Sequence, residues 1–85
     1  MYYYVYVLKS ESVGLLYTGY TADLQQRLES HNKGEVRSTK HRRPLQLVYF
    51  EACLNQQDAT HREQYLKTSY GKRYLKHRLK GYFTG

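Results

Sequence analysis

The chain has 85 residues, with 14 Lys and Arg against 7 Asp and Glu, for a formal net charge of +7. That length allows one domain over residues 1–85, with a modest core and no second lobe. No apolar run approaches the roughly 18 residues of a membrane span, and the opening "MYYYVYVL" lacks the basic flank and cleavage site of a signal peptide. The single Cys53 allows no internal disulfide, so a cytoplasmic protein with no membrane partner is expected.

The first predicted element is a strand. Tyr2, Tyr4, Tyr6 and Leu8 alternate with Tyr3, Val5 and Val7. Aromatic and β-branched residues at period two suit a strand covered on both faces. "KSESVG" is a turn-rich connector and "LLYTGY" a second short strand. An antiparallel hairpin with Tyr6 opposite Tyr17 pairs Leu8 with Leu15 and Tyr4 with Gly19. Both tyrosines then share a face, with a bare glycine beside them. Thr21 or Asp23 can cap a helix through "ADLQQRLESHNK", which Gly34 ends. Leu24 and Leu28 form its inward stripe. Arg27 and His31, themselves i, i+4, lie about 60° round the helix from them.

The basic stretch 35–43 reads as a loop closed by Pro44, and "LQLVYFE" as a third strand. Asn55 can cap a helix to about Ser69, with Gly71 as its stop. Its inward stripe takes Ala59, Arg62 or Glu63, Leu66 and Tyr70. A carboxylate there must be paired, bind a cation or reach a cleft. "KRYLKHRLK" is a last basic helix with Leu75 and Leu79 inward and Gly81 at its end. Tyr65, Tyr74 and Tyr82 are expected as core or helix-packing aromatics. The order β-β-α-β-α-α predicts an α+β fold, one α/β layer pair: a small three-stranded antiparallel sheet flanked by helices.

Charge points to a partner. After Glu63 there is no acidic residue, while Lys67, Lys72, Arg73, Lys76, Arg78 and Lys80 follow. Lys33, Arg37, Lys40, Arg42 and Arg43 make a second basic cluster. Such asymmetry predicts a polyanion, most often nucleic acid, held by Lys33, Arg37, Lys40, Arg42, Arg43, Lys72, Arg73 and Lys76. No base-reading code is visible, so low sequence specificity is expected. His41, His61 and Cys53 show no zinc spacing.

"YVY" at 4–6 and "YTG" at 17–19, followed by Arg27, His31 and Glu63, resemble the GIY-YIG nuclease family. The resemblance spans nearly the whole chain and is closest to the small single-domain bacterial members. It implies Tyr6, Tyr17, Arg27, His31 and Glu63 as catalytic residues, Gly19 as the motif glycine, and Glu63 as the ligand of Mg²⁺ or Mn²⁺. The implied activity is endonucleolytic hydrolysis of DNA phosphodiesters, in DNA repair or recombination. Tyr4 stands where the family name has glycine, Tyr20 where some members have lysine, and His77 where small relatives place an asparagine.

The residue types suit that chemistry. Arg27 offers a permanently charged fork for phosphate oxygens. One glutamate suffices for Mg²⁺, because waters and substrate phosphates complete its octahedron. Tyr17 is the candidate general base, which needs a nearby cation to favour phenolate. Tyr6 positions water or phosphate, and His31 can relay a proton. A reading of a different class is a non-catalytic nucleic-acid-binding module, in which the tyrosine-rich sheet stacks bases and lysines hold phosphates.

Overall fold

In the computed structural model, which describes residues 1–85, the alternating segment becomes strand β1 (Tyr3–Ser10). It lies between β2 (Leu16–Thr21) and β3 (Leu45–Cys53), antiparallel to both. This central place explains the two-sided pattern, since Val5, Tyr6, Val7 and Leu8 are all buried. On one face Val5 and Val7 pack against Ala59 and Leu66 of α2 (Gln56–Leu66) and Leu75 of α3 (Ser69–Arg78). On the other, Tyr6, Leu8 and Leu45 pack with Leu24 and Leu28 of α1 (Leu24–Asn32). Each fully buried Leu or Val contributes about 1.5–3 kcal/mol. The three-stranded sheet with flanking helices is therefore the fold expected, in the order expected.

The hairpin register is two residues away from the expected one. Tyr6 pairs with Gly19, Leu8 with Tyr17, and Tyr4 with Thr21. The connector decides this: the amide of Gly14, at φ +75°, donates to the Ser10 carbonyl, and the Ser10 amide donates to the Leu15 carbonyl. Leu15 is thereby kept in the turn. A shift of two preserves every side chain's face, so Tyr6 and Tyr17 remain on one face as diagonal neighbours. On β3, Val48 is the extra residue of a bulge between the Val7–Tyr49 and Leu8–Leu47 pairs.

Helix α1 is capped by Asp23, whose Oδ1 accepts from the Gln26 amide at 3.1 Å. Thr21 instead accepts from the Asp23 amide. Lys33 closes the helix and Gly34 follows at φ +80°. Asn32 then clamps α1 to β3, accepting from the Leu45 amide at 3.1 Å and donating to its carbonyl at 3.3 Å. The loop that follows contains a 3₁₀ turn, Lys40–Arg42.

Asn55 caps α2, but the helix stops at Leu66 rather than near Ser69. Thr68 caps α3 by accepting from the Gly71 amide at 3.2 Å. Gly71 is no stop signal. It is buried inside α3, and a Cβ there would run into the Tyr65 carbonyl and the Leu66 backbone. Its missing side chain permits close approach of α2 and α3. Tyr70, expected inward, is 66% exposed. Gly81 lies inside a short last helix, α4 (Lys80–Thr84), and does not end α3. No helix is long and apolar enough to cross a membrane.

Candidate active site

Tyr6 from β1, Tyr17 and Gly19 from β2, and Arg27 and His31 from α1 meet on the α1 face of the sheet. The Tyr6 hydroxyl lies 2.9 Å from His31 Nε2. Arg27 Nε donates to that same phenol oxygen at 3.3 Å. The Tyr17 ring stands 6.4 Å from the Tyr6 ring and 5.2 Å, edge-on, from His31. His31 Nδ1 in turn lies 2.7 Å from Thr39 Oγ1. One chain of polar atoms thus runs from Thr39 through His31 and Tyr6 to Arg27, buried at one end and open at the guanidinium.

Gly19 makes the arrangement possible. It sits directly opposite Tyr6, and a Cβ at this position would stand 2.5 Å from the Tyr6 hydroxyl and 2.7 Å from Cζ. The need is for close approach, not for a left-handed backbone. Gly19→Ala should therefore push Tyr6 off Arg27 and His31. The expected loss is about 1–3 kcal/mol of stability, with activity lower by about 10²-fold because a functional group is misplaced. Urea melts and single-turnover rates check both. A variant as stable and active as wild type would show that Tyr6 has another place to go.

Burial sets the protonation of this chain. Burial raises the Tyr6 phenol above its ordinary range, although the hydrogen bond from Arg27 opposes it. The same bond raises the Arg27 guanidinium further, so it stays charged. Burial, helped by the positive Arg27, pushes His31 down to about 4. A neutral ring has one donor and one acceptor. Either Tyr6 donates to Nε2 and Nδ1–H donates to Thr39, or the whole chain runs in reverse.

This shift is also a stability statement. Unfolded, His31 would titrate near 6.5. Between that value and about 4 the unfolded chain binds a proton that the folded one rejects. The contribution is complete above the unfolded value and lost as pH falls. Wild type should lose about 2 kcal/mol through this group between pH 7 and pH 5. His31→Gln should flatten that part of a pH series of urea melts. An unchanged slope would mean the ring is hydrated.

On α2 the ambiguity between Arg62 and Glu63 resolves into two directions. Arg62 forks onto Glu51 of β3, with Nε and Nη2 both at 2.9 Å, and stacks over Tyr74 at 4.8 Å. Burial alone would raise Glu51, but the bonds from Arg62 and Tyr49 hold it below the usual carboxylate range. Arg62 is thus a structural residue. Glu63 points away from this network. Its side chain is 17% exposed and forms an ion pair with Lys67 at 3.1 Å. Its charge is felt at Tyr6, where it adds to the upward push.

No group of three or more His, Cys, Asp or Glu could form an all-protein metal cage. A single part-buried carboxylate fits Mg²⁺ or Mn²⁺, which keep waters and recruit substrate oxygens, and does not fit a structural zinc.

A family model described as the GIY-YIG catalytic domain matches residues 2–83. The chain belongs to the GIY-YIG family. It is 48% identical over 66 residues to a UPF0213 protein of Pediococcus pentosaceus, covering 76% of this chain and 68% of that protein. A UPF0213 protein of Staphylococcus saprophyticus is 41% identical over 75 residues, covering 87% and 90%. The solution NMR structure of a UPF0213 protein from Bacillus halodurans matches with a TM-score of 0.55 and 33% identity, covering 88% of this chain and 82% of that one. Membership points to nuclease chemistry on nucleic acid.

The basic residues lie on two segments, the stretch after α1 and helix α3. Lys33 follows α1, and Arg37, Lys40, Arg42 and Arg43 belong to the loop that delivers Thr39 to His31. Of these, Arg43 is partly engaged, donating to the Lys40 carbonyl at 3.0 Å. Lys72, Arg73 and Lys76 lie on α3, and Lys72 lines a hollow together with Tyr17 and Lys67. His77 is exposed on α3 beside Lys80 and Phe83, and no hydrogen bond ties it to Tyr6, Tyr17 or Arg27. Sequence reading missed Thr39. It is fully buried in the GIY-YIG domain, and a lone threonine within "RSTKHRR" gave no signal. Around Tyr6 the sheet offers no open aromatic face for base stacking, because helices cover both sides of β1 there and Tyr6 is 1% exposed.

Proposed function

We propose that residues 1–85 are the catalytic domain of an endonuclease that hydrolyses DNA phosphodiesters with low sequence specificity, using Mg²⁺ or Mn²⁺. The observation that carries this reading is the Arg27 guanidinium bonded to Tyr6, with Tyr17 alongside and the Glu63 carboxylate close enough to be felt there. DNA repair or recombination in the cytoplasm is the biological setting that best suits such an activity.

Arg27 presents its free guanidinium nitrogens to the phosphate oxygens while Nε stays on Tyr6. The His31–Thr39 pair holds the Tyr6 hydroxyl in place, and this phenol, raised by burial, orients water by hydrogen bonding rather than as a base. Tyr17 is the general base and, as phenolate, takes the proton of the attacking water. The water oxygen bonds to phosphorus, the opposite P–O bond breaks, and the leaving oxygen takes a proton from solvent. Glu63 is the ligand for the divalent ion, which when bound supplies charge neutralisation at the phosphate. The Lys67 ion pair uses Glu63 Oε2 and leaves Oε1 for the ion.

A circular single strand and a relaxed circular duplex, each incubated with Mg²⁺, Mn²⁺ or EDTA, test the reading. Linear products that appear only with metal support an endonuclease. Intact circles in every condition, alongside binding, would favour the binding module.

A further inference from the structure

Three hollows on the α3 side share walls. The first opens beside Tyr17 and is bounded by Lys67 and Lys72. Lys72 also lines the second, together with Leu15, Leu16, Lys76 and Phe83. Lys76 and Phe83 continue into the third, with Arg73 and Lys80. Their shared walls line them up as a trench along α3, from the edge strand β2 at Tyr17 to α4. Its middle section, about 500 Å³, lies within the size range of small-ligand sites.

We infer that this trench is the track of an unpaired nucleic-acid strand, with a base stacked on Phe83 and phosphates held by Lys72, Lys76 and Lys80. The inference deepens the nuclease reading and rests on it. Its first support is charge. Lysines and Arg73 line the trench, and no Asp or Glu does. Lys72 and Lys76 stand one turn apart on α3, about 6 Å along its axis, a step that suits neighbouring phosphates of one strand.

The second support is the apolar floor. Leu15 is 57% exposed and Phe83 39%, so the middle section offers leucine surface and an aromatic ring to solvent. Phe83 is held in this pose by its neighbour. The Tyr82 hydroxyl donates to Gln46 of β3 at 3.1 Å, Lys9 of β1 lies over the Tyr82 ring at 5.5 Å, and Tyr82 meets Phe83 edge-on at 5.3 Å. Tyr82 therefore pins α4 to the sheet and leaves Phe83 facing the trench. A duplex hides its base faces within its own stack and could use only the lysines. An unpaired strand uses both the lysines and the ring. The apolar groove between Tyr4 and Phe50 does not compete, because Asp23 lines it and no Lys or Arg does.

Fluorescence anisotropy of the full chain in EDTA tests the track, with a labelled thymidine oligonucleotide, a uridine oligonucleotide of equal length and a hairpin duplex. Phe83→Ala should weaken binding of an unpaired strand roughly 5- to 100-fold and duplex binding less than twofold. Phe83→Leu, which keeps apolar bulk at an exposed site, should do the same at an unchanged melting temperature, and Phe83→Tyr should restore affinity. Lys76→Gln should reduce the single-strand salt slope by about 0.7. Phe83 dependence on either the thymidine or the uridine strand supports the track. Single-strand affinity unchanged in both Phe83→Ala and Phe83→Leu, or equal losses on the duplex, would overturn it. Phe83 dependence without metal-dependent cleavage would leave the track standing and remove the nuclease reading. Cleavage without Phe83 dependence would do the reverse.

Discussion

Glu63→Gln should abolish metal-dependent cleavage while the protein stays folded. The substitution keeps the side chain's volume and removes the charge that attracts a divalent ion. The cost to the fold should be small, because the only ion pair of Glu63 is with Lys67, which is 53% exposed. Such half-solvated i, i+4 pairs contribute only about 0.3–0.5 kcal/mol. Binding of nucleic acid in EDTA should be equal or slightly tighter, since a negative charge has been removed from the path of phosphates. A purely structural Glu63 behaves differently: stability would drop only by the Lys67 pair's contribution of about 0.3–0.5 kcal/mol, and cleavage would persist. Melting temperature and cleavage rate on this one variant separate the two, and a folded variant that cuts at the wild-type rate would end the metal-ligand assignment.

Arg27→Ala should lower the cleavage rate by about 10²- to 10³-fold, the scale for losing one preorganised donor to a developing anion. The loss has two parts. The phosphate loses its fork, and the Tyr6 hydroxyl loses the donor at 3.3 Å. Arg27→Lys should recover only part of the rate, since it restores charge without planar bidentate geometry. Single-turnover rates at saturating protein isolate the chemical step. Full activity in Arg27→Lys would show that Arg27 acts as a point charge.

Much of this was legible in the chain. Period-two alternation in "YYYVYVL" marked a strand buried on both sides, and Asp23, Gly34 and Asn55 marked helix limits by their cap chemistry. Tyr6, Tyr17, Arg27 and His31 converge because parity and i, i+4 spacing survive errors of position. The hairpin register illustrates this: it moved by two residues, and the shared face did not change. What failed was glycine. Gly71 and Gly81 were read as helix ends because that is the usual local meaning, yet Gly71 is a contact surface between α2 and α3, a tertiary demand that no local pattern carries. Thr39 escaped for a similar reason, since its contact with His31 is set by how a loop folds back.

The most direct measurement is a metal add-back experiment on the wild-type chain. Protein stripped with EDTA is mixed in excess with an internally labelled DNA strand, and product is followed as Mg²⁺ or Mn²⁺ is restored. Internal cuts that are absent in EDTA, rise with metal to saturation, and fail to appear with Glu63→Gln at the same metal concentration are the predicted result. Cutting at an equal rate in EDTA, or no cutting at any metal concentration by a protein that binds the strand, would contradict it.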